Sequence, residues 1–588
     1  MKFAAHSLLL ISLAATFAYA QPTNNIPQVQ HVIVIIQENR TPDNLFNQDT
    51  VLAQNGGHVQ PANNAGPCNV PGHSTISLSP TALFTCWDPI HNHGGAHPSW
   101  LTTWDNGAMD GACGNYISGV SNQCQPSSCV VSTNPYFSTC GYTYVQNTPW
   151  NGQNGVLDPY FQLANQYGWA NYMFQINQGP SFPAHQFLLS GTSAPVAYGD
   201  PLSNCDIAPN EKCWQWFDGE NTSAGMGDPT GCVAQSGVHA YLIDTNSGEN
   251  LEYLAPSPVN NAGTGFPCYT HNSLPTLLDA ANISWRYYLR EGYNGGYNLW
   301  NAASAINDIC MTSGAGGSCT SLSYLHNVNS VLPGGTNYLH DKAPILTDIA
   351  NCVLPQVSWV IPDGNWSDHA GGNPGEKGDG GPSWVANIVN AIGTTPSACE
   401  GGNGYWSDTV ILVVWDDWGG YYDDVVPLYC PPPGPCAGYK GGNGNGQQYV
   451  YGFRVPLLAI SAYAKQTAQP PAAYTGYISN VNHDFGSILN FIEYAFGTGG
   501  NPLGGTYGIG DQHWQYADFF APDVTPQGPN PYGLSDFFTY TQSKPTPIPF
   551  RQITPLEYSV DCFHHPLDQN CFAETYPQDP DNDANESD

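Results

Sequence analysis

The sequence predicts an α/β fold with a largely parallel central sheet. At least four apolar segments have the length of buried strands, and segments with helical spacing lie between them. Strands buried on both faces are near-continuous apolar runs, and their alternation with helices is typical of a parallel sheet covered on both sides. The 64 Gly and 50 Pro are spread along the chain and predict a packed but loop-rich domain.

The predicted elements follow from these patterns in chain order. The first strand is the apolar run 32–36, which Gln37 closes. After it we predict a helix and then a strand in 157–174, a helix over 184–190, a helix and then a strand in 273–293, a strand in 357–364, a helix over 381–393, a strand opening 409–420, a strand in 455–464 and a helix in 483–497. Gly191 follows the 184–190 segment and is typical of a helix end.

Composition predicts an exported chain of one large domain. Residues 1–20 have the charged start, apolar centre and small-residue end of a signal peptide cleaved after Ala20, so we expect a secreted or periplasmic protein. No later segment has about 20 continuous apolar residues, and we predict no transmembrane span. We expect a single domain over 21–545, with irregular insertions near 47–150 and 196–275. Residues 546–588 would form a C-terminal extension with an acidic tail.

The net charge restricts which partners the chain can bind, and the cysteine content indicates its compartment. The net charge is −34, and such a surface repels nucleic acid, so we expect no nucleic-acid binding. The 18 Cys are an even number in an exported chain and predict disulfides. We expect the local pairs Cys310–Cys319, Cys430–Cys436 and Cys562–Cys571, and a cluster of Cys113, Cys124, Cys129 and Cys140.

Two buried strands end in adjacent oxygen ligands, Glu38-Asn39 and Asp416-Asp417. If those strands are neighbours, the four side chains converge at one edge of the sheet, where ligands bind in open α/β sheets. Carboxylate and amide oxygens suit one divalent ion, Ca²⁺, Mg²⁺ or Mn²⁺. The alternative is that these residues only cap strand ends. Either pair alone favours that alternative, and both together favour the metal.

Ser181 is the candidate nucleophile, because a serine just before a helix places its oxygen near backbone N–H groups that stabilise an anion. The alternative is an ordinary helix-capping serine, and the sequence alone favours that alternative because serine is a common cap. Candidate acids for the leaving group are the histidines near the motifs: His91, His93, His97, His185 and His369. Histidine is suited to proton transfer near neutral pH, although each of these could instead be structural.

Four motifs resemble the secreted phosphoesterases that unite bacterial acid phosphatases with phosphocholine-type phospholipase C enzymes. They are HVIVIIQENRTPDNLF, GPSFPAHQFLLSGTS, VSWVIPDGNWSDHAG and VILVVWDDWGGYYDDVVP, in that order. The sequence departs from the family pattern at Pro42, Asn44, Asp424 and Asn480, where the family usually has an aromatic residue at the first position and His at the other three.

The resemblance implies a fold, a site and an activity. It implies an alkaline-phosphatase-like three-layer sandwich. It implies that Glu38, Asn39, Asp416 and Asp417 bind the metal together with the oxygen of Ser181, that Ser181 forms a phosphoserine, and that His91 and His369 serve the site.

The substrate would be a small phosphomonoester, as for an acid phosphatase, or a phospholipid head group, as for a phospholipase C. An inactive secreted binding protein on the same fold is the alternative of another class.

Overall fold

The computed structural model describes residues 24–555, apart from internal gaps. The gaps are 62–63, 94–98, 123, 134–135, 150–153, 194–218, 223–229, 239, 244–251, 254–265, 272, 290–298, 329–343, 363–365, 372–379, 396–398, 431–448, 469–471, 505–520 and 526–527. The predicted signal peptide, His97 and the acidic tail lie outside the described residues.

A seven-stranded sheet forms the centre of the molecule. Its strands are β1 (His31–Gln37), β2 (Gly168–Phe174), β3 (Trp285–Tyr288), β4 (Val357–Val360), β5 (Thr409–Trp415), β6 (Leu457–Ser461) and β7 (Tyr477–Asp484). Their order in space is β3-β4-β1-β5-β6-β2-β7. Of these seven, β6 alone runs antiparallel to its neighbours. The large, mostly parallel sheet is therefore confirmed.

The two central strands, β1 and β5, pair along their whole length. Every residue of β1 and of β5 is buried, and the two pair in register from His31–Thr409 to Gln37–Trp415. Strand β7 has no counterpart among the predicted elements. It lies at the edge of the sheet, and its sequence YISNVNHD mixes buried, half-buried and exposed residues without an apolar run.

Five helices of eight or more residues are described: α1 (Asp158–Gln166), α2 (Ser181–Ser190), α3 (Leu274–Ala281), α4 (Gly381–Thr394) and α5 (Phe485–Phe496). Helix α1 packs on α4, and both contact strands of the sheet. Helix α2 packs on α3 and α5. These elements give a mixed α/β architecture, and the finer alkaline-phosphatase-like arrangement stays a prediction.

Helix α2 begins earlier than the sequence predicts. Its first residue is Ser181, whereas we expected the helix to start at Ala184. The first four N–H groups of a helix have no partner within it, so Pro183 is tolerated inside the first turn and does not delay the start. The end is as predicted, since Gly191 adopts a left-handed conformation with φ 72°.

Shorter elements complete the described chain. The helices are Pro42–Leu45, Thr50–Gln54, Ser99–Trp104, Ala302–Ala305, Asn307–Cys310, Leu322–Asn327 and Pro344–Ala350. The strands are Ala65–Pro67, Thr75–Ser77, Ser79–Thr81, Asp88–Pro89, Ile117–Ser118, Val131–Thr133, Tyr136–Ser138, Thr143–Val145, Gly219–Thr222, Ala240–Ile243, Glu252–Tyr253, Tyr429–Cys430 and Tyr449–Val450. Within this described part of the chain, no helix is both long and apolar enough to cross a bilayer.

Among the described residues, six cysteine pairs lie at disulfide distance. The predicted pair Cys310–Cys319 is confirmed. The predicted four-cysteine cluster is only partly correct, because Cys129 pairs with Cys140 but Cys113 pairs with Cys68 and Cys124 with Cys86. Pairing depends on which Cα atoms the fold brings within about 4.4–6.8 Å, which sequence spacing alone does not show. The other pairs are Cys232–Cys268 and Cys352–Cys399. Cys436, Cys562 and Cys571 lie outside the described residues.

Candidate active site

The ends of β1 and β5 bring buried carboxylates together at one edge of the sheet. The in-register pairing places Glu38 beside Asp416, and both are fully buried. Asp416 Oδ1 accepts hydrogen bonds from the backbone N–H of Asn39, at 3.0 Å, and of Asp417, at 2.7 Å. The Asp416 carboxylate is thus fixed across both strand ends, as expected if the two strands are neighbours.

Asn39 turns sharply after β1. Its φ of 61° is left-handed, a conformation that asparagine tolerates better than most residues. The turn directs its Nδ2 to His91 Nε2, 2.9 Å away. Its Oδ1 is buried and has no hydrogen-bond partner among the described residues. The amide oxygen of Asn39 therefore remains available for a cation.

Ser181 contacts the same carboxylates from the other side. It is the first residue of α2, and its Oγ donates to Glu38 Oε2 at 3.1 Å and lies 3.5 Å from Asp417 Oδ2. The residue that caps α2 is Pro180, and no side chain makes a capping hydrogen bond. The interpretation of Ser181 as an ordinary helix cap is therefore wrong. Its oxygen lies at the positive end of the helix dipole and beside two carboxylates.

The five predicted ligand residues fit a divalent cation. Two ligands about 2.1 Å from an octahedral ion lie about 3.0 Å apart when adjacent and about 4.2 Å apart when opposite. The Ser181 contacts of 3.1 and 3.5 Å fall within that range. Asp416 Oδ2, like Asn39 Oδ1, is buried without a hydrogen-bond partner among the described residues. Buried acceptors left in this way are costly unless a cation satisfies them.

The neighbouring arginine does not balance these carboxylates. Arg40 donates to the backbone oxygen of Asp368 through Nε (3.0 Å) and Nη2 (2.6 Å), and to that of Leu83 at 2.6 Å. Its Nη1 donates to Asn44 Oδ1 at 3.2 Å. Arg40 therefore stabilises loops through their oxygen atoms. The negative charge of the site carboxylates is left for another cation to neutralise.

His185 lies closer to the predicted ligands than the sequence indicated. Its Nε2 is 2.9 Å from Glu38 Oε1 and 3.7 Å from Asp416 Oδ2. We expected it only as a candidate acid. The signal that could have found it is the spacing to Ser181, because residues i and i+4 of a helix share one face.

His91 and His369 lie together beside this group. Their ring centroids are 5.8 Å apart, and with Asp88 they form a second buried group of acidic and imidazole side chains. His91 Nδ1 lies 2.9 Å from the Pro89 oxygen, and its Nε2 faces the Asn39 amide. The amide N–H donates to Nε2, so the proton of the neutral ring is on Nδ1.

Gln37 positions the segment that carries His369. Its Nε2 donates to the Trp366 oxygen at 2.9 Å, and its Oε1 accepts from the Asp368 N–H at 3.0 Å. Arg40 binds the carbonyl of the same Asp368. The last residue of β1 and the start of the next loop therefore fix His369 relative to Glu38.

The chain matches the model of the Phosphoesterase family over residues 29–499. This range includes β1, β4, β5, Ser181 and all the side chains described above. The chain belongs to the Phosphoesterase family.

Several relatives carry a phospholipase C name. The chain is 22% identical over 503 residues to a hemolytic phospholipase C of Pseudomonas aeruginosa, a match that covers 81% of this chain and 54% of that protein. It is 24% identical over 289 residues to a non-hemolytic phospholipase C of Burkholderia pseudomallei, covering 43% of this chain and 37% of the relative. It is 22% identical to phospholipase C A of Mycobacterium tuberculosis, covering 75% and 69%. The match to the first of these relatives spans about half of that protein's length.

The departures from the usual phosphoesterase pattern contact structural partners. Asn44 Nδ2 donates to the Thr143 oxygen at 2.7 Å, and Asn480 Oδ1 accepts from Asn171 at 2.8 Å. Asp424 lies 3.2 Å from His58 Nε2 and 3.5 Å from Arg454. Burial opposes its ionisation, but Arg454 and the other donors lower the pKa of Asp424. These contacts leave Glu38, Asp416 and Ser181 together.

Proposed function

We propose that this chain hydrolyses phosphoesters with Ser181 as the nucleophile. The observation that carries the proposal is the position of Ser181 Oγ, at the N-terminus of α2 and in contact with Glu38 and Asp417. A phosphate bound there would meet the backbone N–H groups of the first helical turn, which stabilise negative charge.

One divalent ion would be held by the five predicted ligand residues, Glu38, Asn39, Asp416, Asp417 and Ser181. Their oxygen atoms suggest Ca²⁺, Mg²⁺ or Mn²⁺. When bound, such an ion lowers the pKa of a serine hydroxyl and neutralises charge on the transferring phosphoryl group.

Different side chains provide the nucleophile, the acceptor of its proton and the acid for the leaving group. The Ser181 hydroxyl already donates to Glu38 Oε2, which gives its proton an acceptor as Oγ attacks phosphorus. The bond from phosphorus to the leaving oxygen breaks, and a histidine protonates that oxygen. Water then gives a proton to the same histidine and attacks phosphorus, the bond from phosphorus to Ser181 Oγ breaks, and Oγ takes back the proton from Glu38.

His369 suits the role of the acid better than His91. Each ring has its Nδ1 beside a backbone carbonyl oxygen, so each must gain a proton at Nε2 before it can act as an acid. Nε2 of His91 already accepts the Asn39 amide, which opposes that protonation. His369 retains 8% exposure as a residue, whereas His91 is fully buried. The more accessible ring is the better placed to reach a leaving group and to exchange its proton with water.

A small phosphomonoester is the first candidate substrate. The acidic chain, with 46 Asp and Glu against 12 Lys and Arg, favours the acid-phosphatase type. Low pH relieves the self-repulsion of such a chain.

A choline-type phosphodiester is the second candidate, and two observations favour it. The relatives above are named phospholipase C. Trp300 and Trp418 lie beside the site histidines, with ring centroids 5.9 Å from His369 and 6.1 Å from His91. Indole faces attract quaternary ammonium groups.

Two chromogenic substrates separate the candidates. Purified protein is assayed with nitrophenyl phosphate and with nitrophenyl phosphorylcholine, and Ser181→Ala should lose at least about 100-fold of the turnover of either. Activity on the second substrate alone contradicts the phosphatase choice. Failure on both favours the inactive binding protein, whereas unchanged turnover in Ser181→Ala contradicts Ser181 as the nucleophile.

Two broader proposals accompany this activity. We propose the alkaline-phosphatase-like three-layer arrangement, which is supported by the mostly parallel sheet and by helices that pack in separate groups. We also propose export, which is supported by the signal-like residues 1–20 and by the cysteine pairs.

A further inference from the structure

We infer that His185 is a further ligand of the same divalent ion, and that its nitrogen shifts the preference of the site from Ca²⁺ and Mg²⁺ towards Mn²⁺ or Zn²⁺. This inference rests on the proposed function, because it concerns the same site.

The distances place His185 inside the ligand group. One ligand atom each from Glu38, His185 and Asp416 lie within 4.8 Å of one another, and all three side chains are buried. Adjacent ligands around one ion lie about 3.0 Å apart and opposite ligands about 4.2 Å apart. The distance from His185 to Glu38, 2.9 Å, matches adjacent ligands, and the distance to Asp416, 3.7 Å, lies between the two separations. Ser181 and His185 share one face of α2, so a single helix would present both.

The hydrogen bonds of the ring direct Nε2 towards the ion. The Tyr287 hydroxyl donates to the Trp300 oxygen at 2.6 Å, so its own oxygen must accept. That oxygen lies 3.1 Å from His185 Nδ1, which therefore donates. In the neutral ring the lone pair is then on Nε2 and faces carboxylate oxygens.

This arrangement is the one that metal-binding histidines use. Such a histidine donates its second ring N–H to an oxygen acceptor, which fixes the tautomer and the ring orientation. The His185 ring is also stacked on Trp300, with an interplanar angle of 13°. Two carboxylate oxygens and a lone pair repel one another unless a cation lies among them.

The chemistry of the donor set gives the selectivity. Oxygen ligands alone suit Ca²⁺ and Mg²⁺, whereas imidazole nitrogen suits Zn²⁺ and the other first-row transition metals. A site of carboxylates, an amide, a hydroxyl and one imidazole should therefore bind Mn²⁺ or Zn²⁺ in preference to Ca²⁺.

Pulsed EPR on the full chain loaded with Mn²⁺ tests the inference without an activity assay. Wild type should show a ¹⁴N coupling from one directly bound imidazole.

His185→Gln, which can present an oxygen near the position of Nε2, should lose the coupling and lower the ratio of Mn²⁺ to Ca²⁺ affinity. Tyr287→Phe removes the acceptor of Nδ1–H and should keep the coupling while weakening Mn²⁺ binding about 10- to 100-fold. The control His326→Gln removes an exposed imidazole and should leave both unchanged.

The outcomes separate this inference from the proposed function. Mn²⁺ bound at one equivalent without ¹⁴N coupling, or unchanged metal preference in His185→Gln, would overturn the role of His185 and indicate a protonated ring that bonds to Glu38. Wild type that binds no divalent ion and hydrolyses no phosphoester would instead overturn the proposed function. A wild-type spectrum without the coupling is enough to overturn the role of His185, so a variant that fails to fold does not leave the inference untested.

Discussion

At the residue scale, two left-handed residues, one after β1 and one after β5, lie against each other in the site. Asn39 is left-handed at φ 61°, and Gly419 after β5 is left-handed at φ 62°. A Cβ built on Gly419 would lie 2.3 Å from the backbone carbonyl oxygen of Asn39. The glycine is therefore required by close approach as well as by its conformation.

Gly419→Ala should damage the site beyond the cost of its backbone angle. An alanine in the left-handed region costs about 1 kcal/mol of unfolding free energy, and here its Cβ would also displace Asn39, so turnover should fall about 100-fold. Gly499→Ala is the matched control, since Gly499 has φ 65° and nothing within 4 Å of the built Cβ. Urea unfolding and turnover of both variants check this. Equal turnover in the two would show that Gly419 does not position Asn39.

The side chains that follow β1 and β5 could be predicted from the sequence, because an apolar run indicates a buried strand. Polar residues directly after such a strand indicate the edge of the sheet where ligands bind. The ligand role of His185 could not be read in the same way. Its nearest acid, Glu38, is 147 positions away, and the tautomer depends on Tyr287 from another strand. Histidine has several uses, and only its contacts distinguish them.

At the element scale, apolar strands and amphipathic helices were predictable, and the edge strand β7 was not. Its polar residues are typical of a loop, and only the pairing with β2 and the burial of its last two residues, His483 and Asp484, identify the strand. One of those residues, His483, lies between two carboxylates, 2.9 Å from Asp523 and 3.3 Å from Asp536. This ion group fastens the 521–540 segment to the junction of β7 and α5.

The group should make stability fall at high pH. Burial alone would lower the pKa of His483, but Asp536 and Asp523 raise it to about 10. Because the folded pKa lies above that of the unfolded chain, about 6.5, the stabilisation is complete below pH 6.5 and is lost as pH rises towards 10. Chemical unfolding across this range should show a loss of a few kcal/mol in wild type.

His483→Gln should remove that pH dependence and lower the stability near neutral pH. His326→Gln, an exposed histidine, is the control and should follow wild type. A wild-type unfolding free energy that stays level from pH 6.5 to 10, or the same slope in His483→Gln, would show that this histidine is not charged in the folded chain.

At the scale of the whole molecule, the excess of negative charge opposes folding. The chain has 46 acidic against 12 basic residues. One of those few cations, Arg454, is fully buried and joins separated segments through Asp423 at 3.0 Å and Asp43 at 3.4 Å. Its attraction to both carboxylates exceeds the effect of burial and raises the pKa of Arg454. The remaining charge imbalance is left for solvent ions to screen.

Salt should therefore stabilise the whole chain. Raising NaCl from 10 to 150 mM shortens the Debye length from about 30 to about 8 Å, and we expect a gain of about 1 kcal/mol, which corresponds to about 2 °C in the thermal midpoint. The measurement is made in EDTA, so that divalent ions do not contribute, and repeated with potassium chloride to detect specific sodium binding. A midpoint that is unchanged or falls would contradict long-range repulsion as a destabilising force.

The metal-bound serine nucleophile is tested most directly by counting divalent ions per chain while measuring turnover. Glu38→Gln keeps the shape of the side chain and removes its charge, and Glu493→Gln is the matched control with a buried glutamate on α5. We expect wild type and Glu493→Gln to bind one ion per chain and hydrolyse phosphoester, and Glu38→Gln to lose both while it remains folded. A folded Glu38→Gln protein that keeps its ion and its turnover would contradict the account.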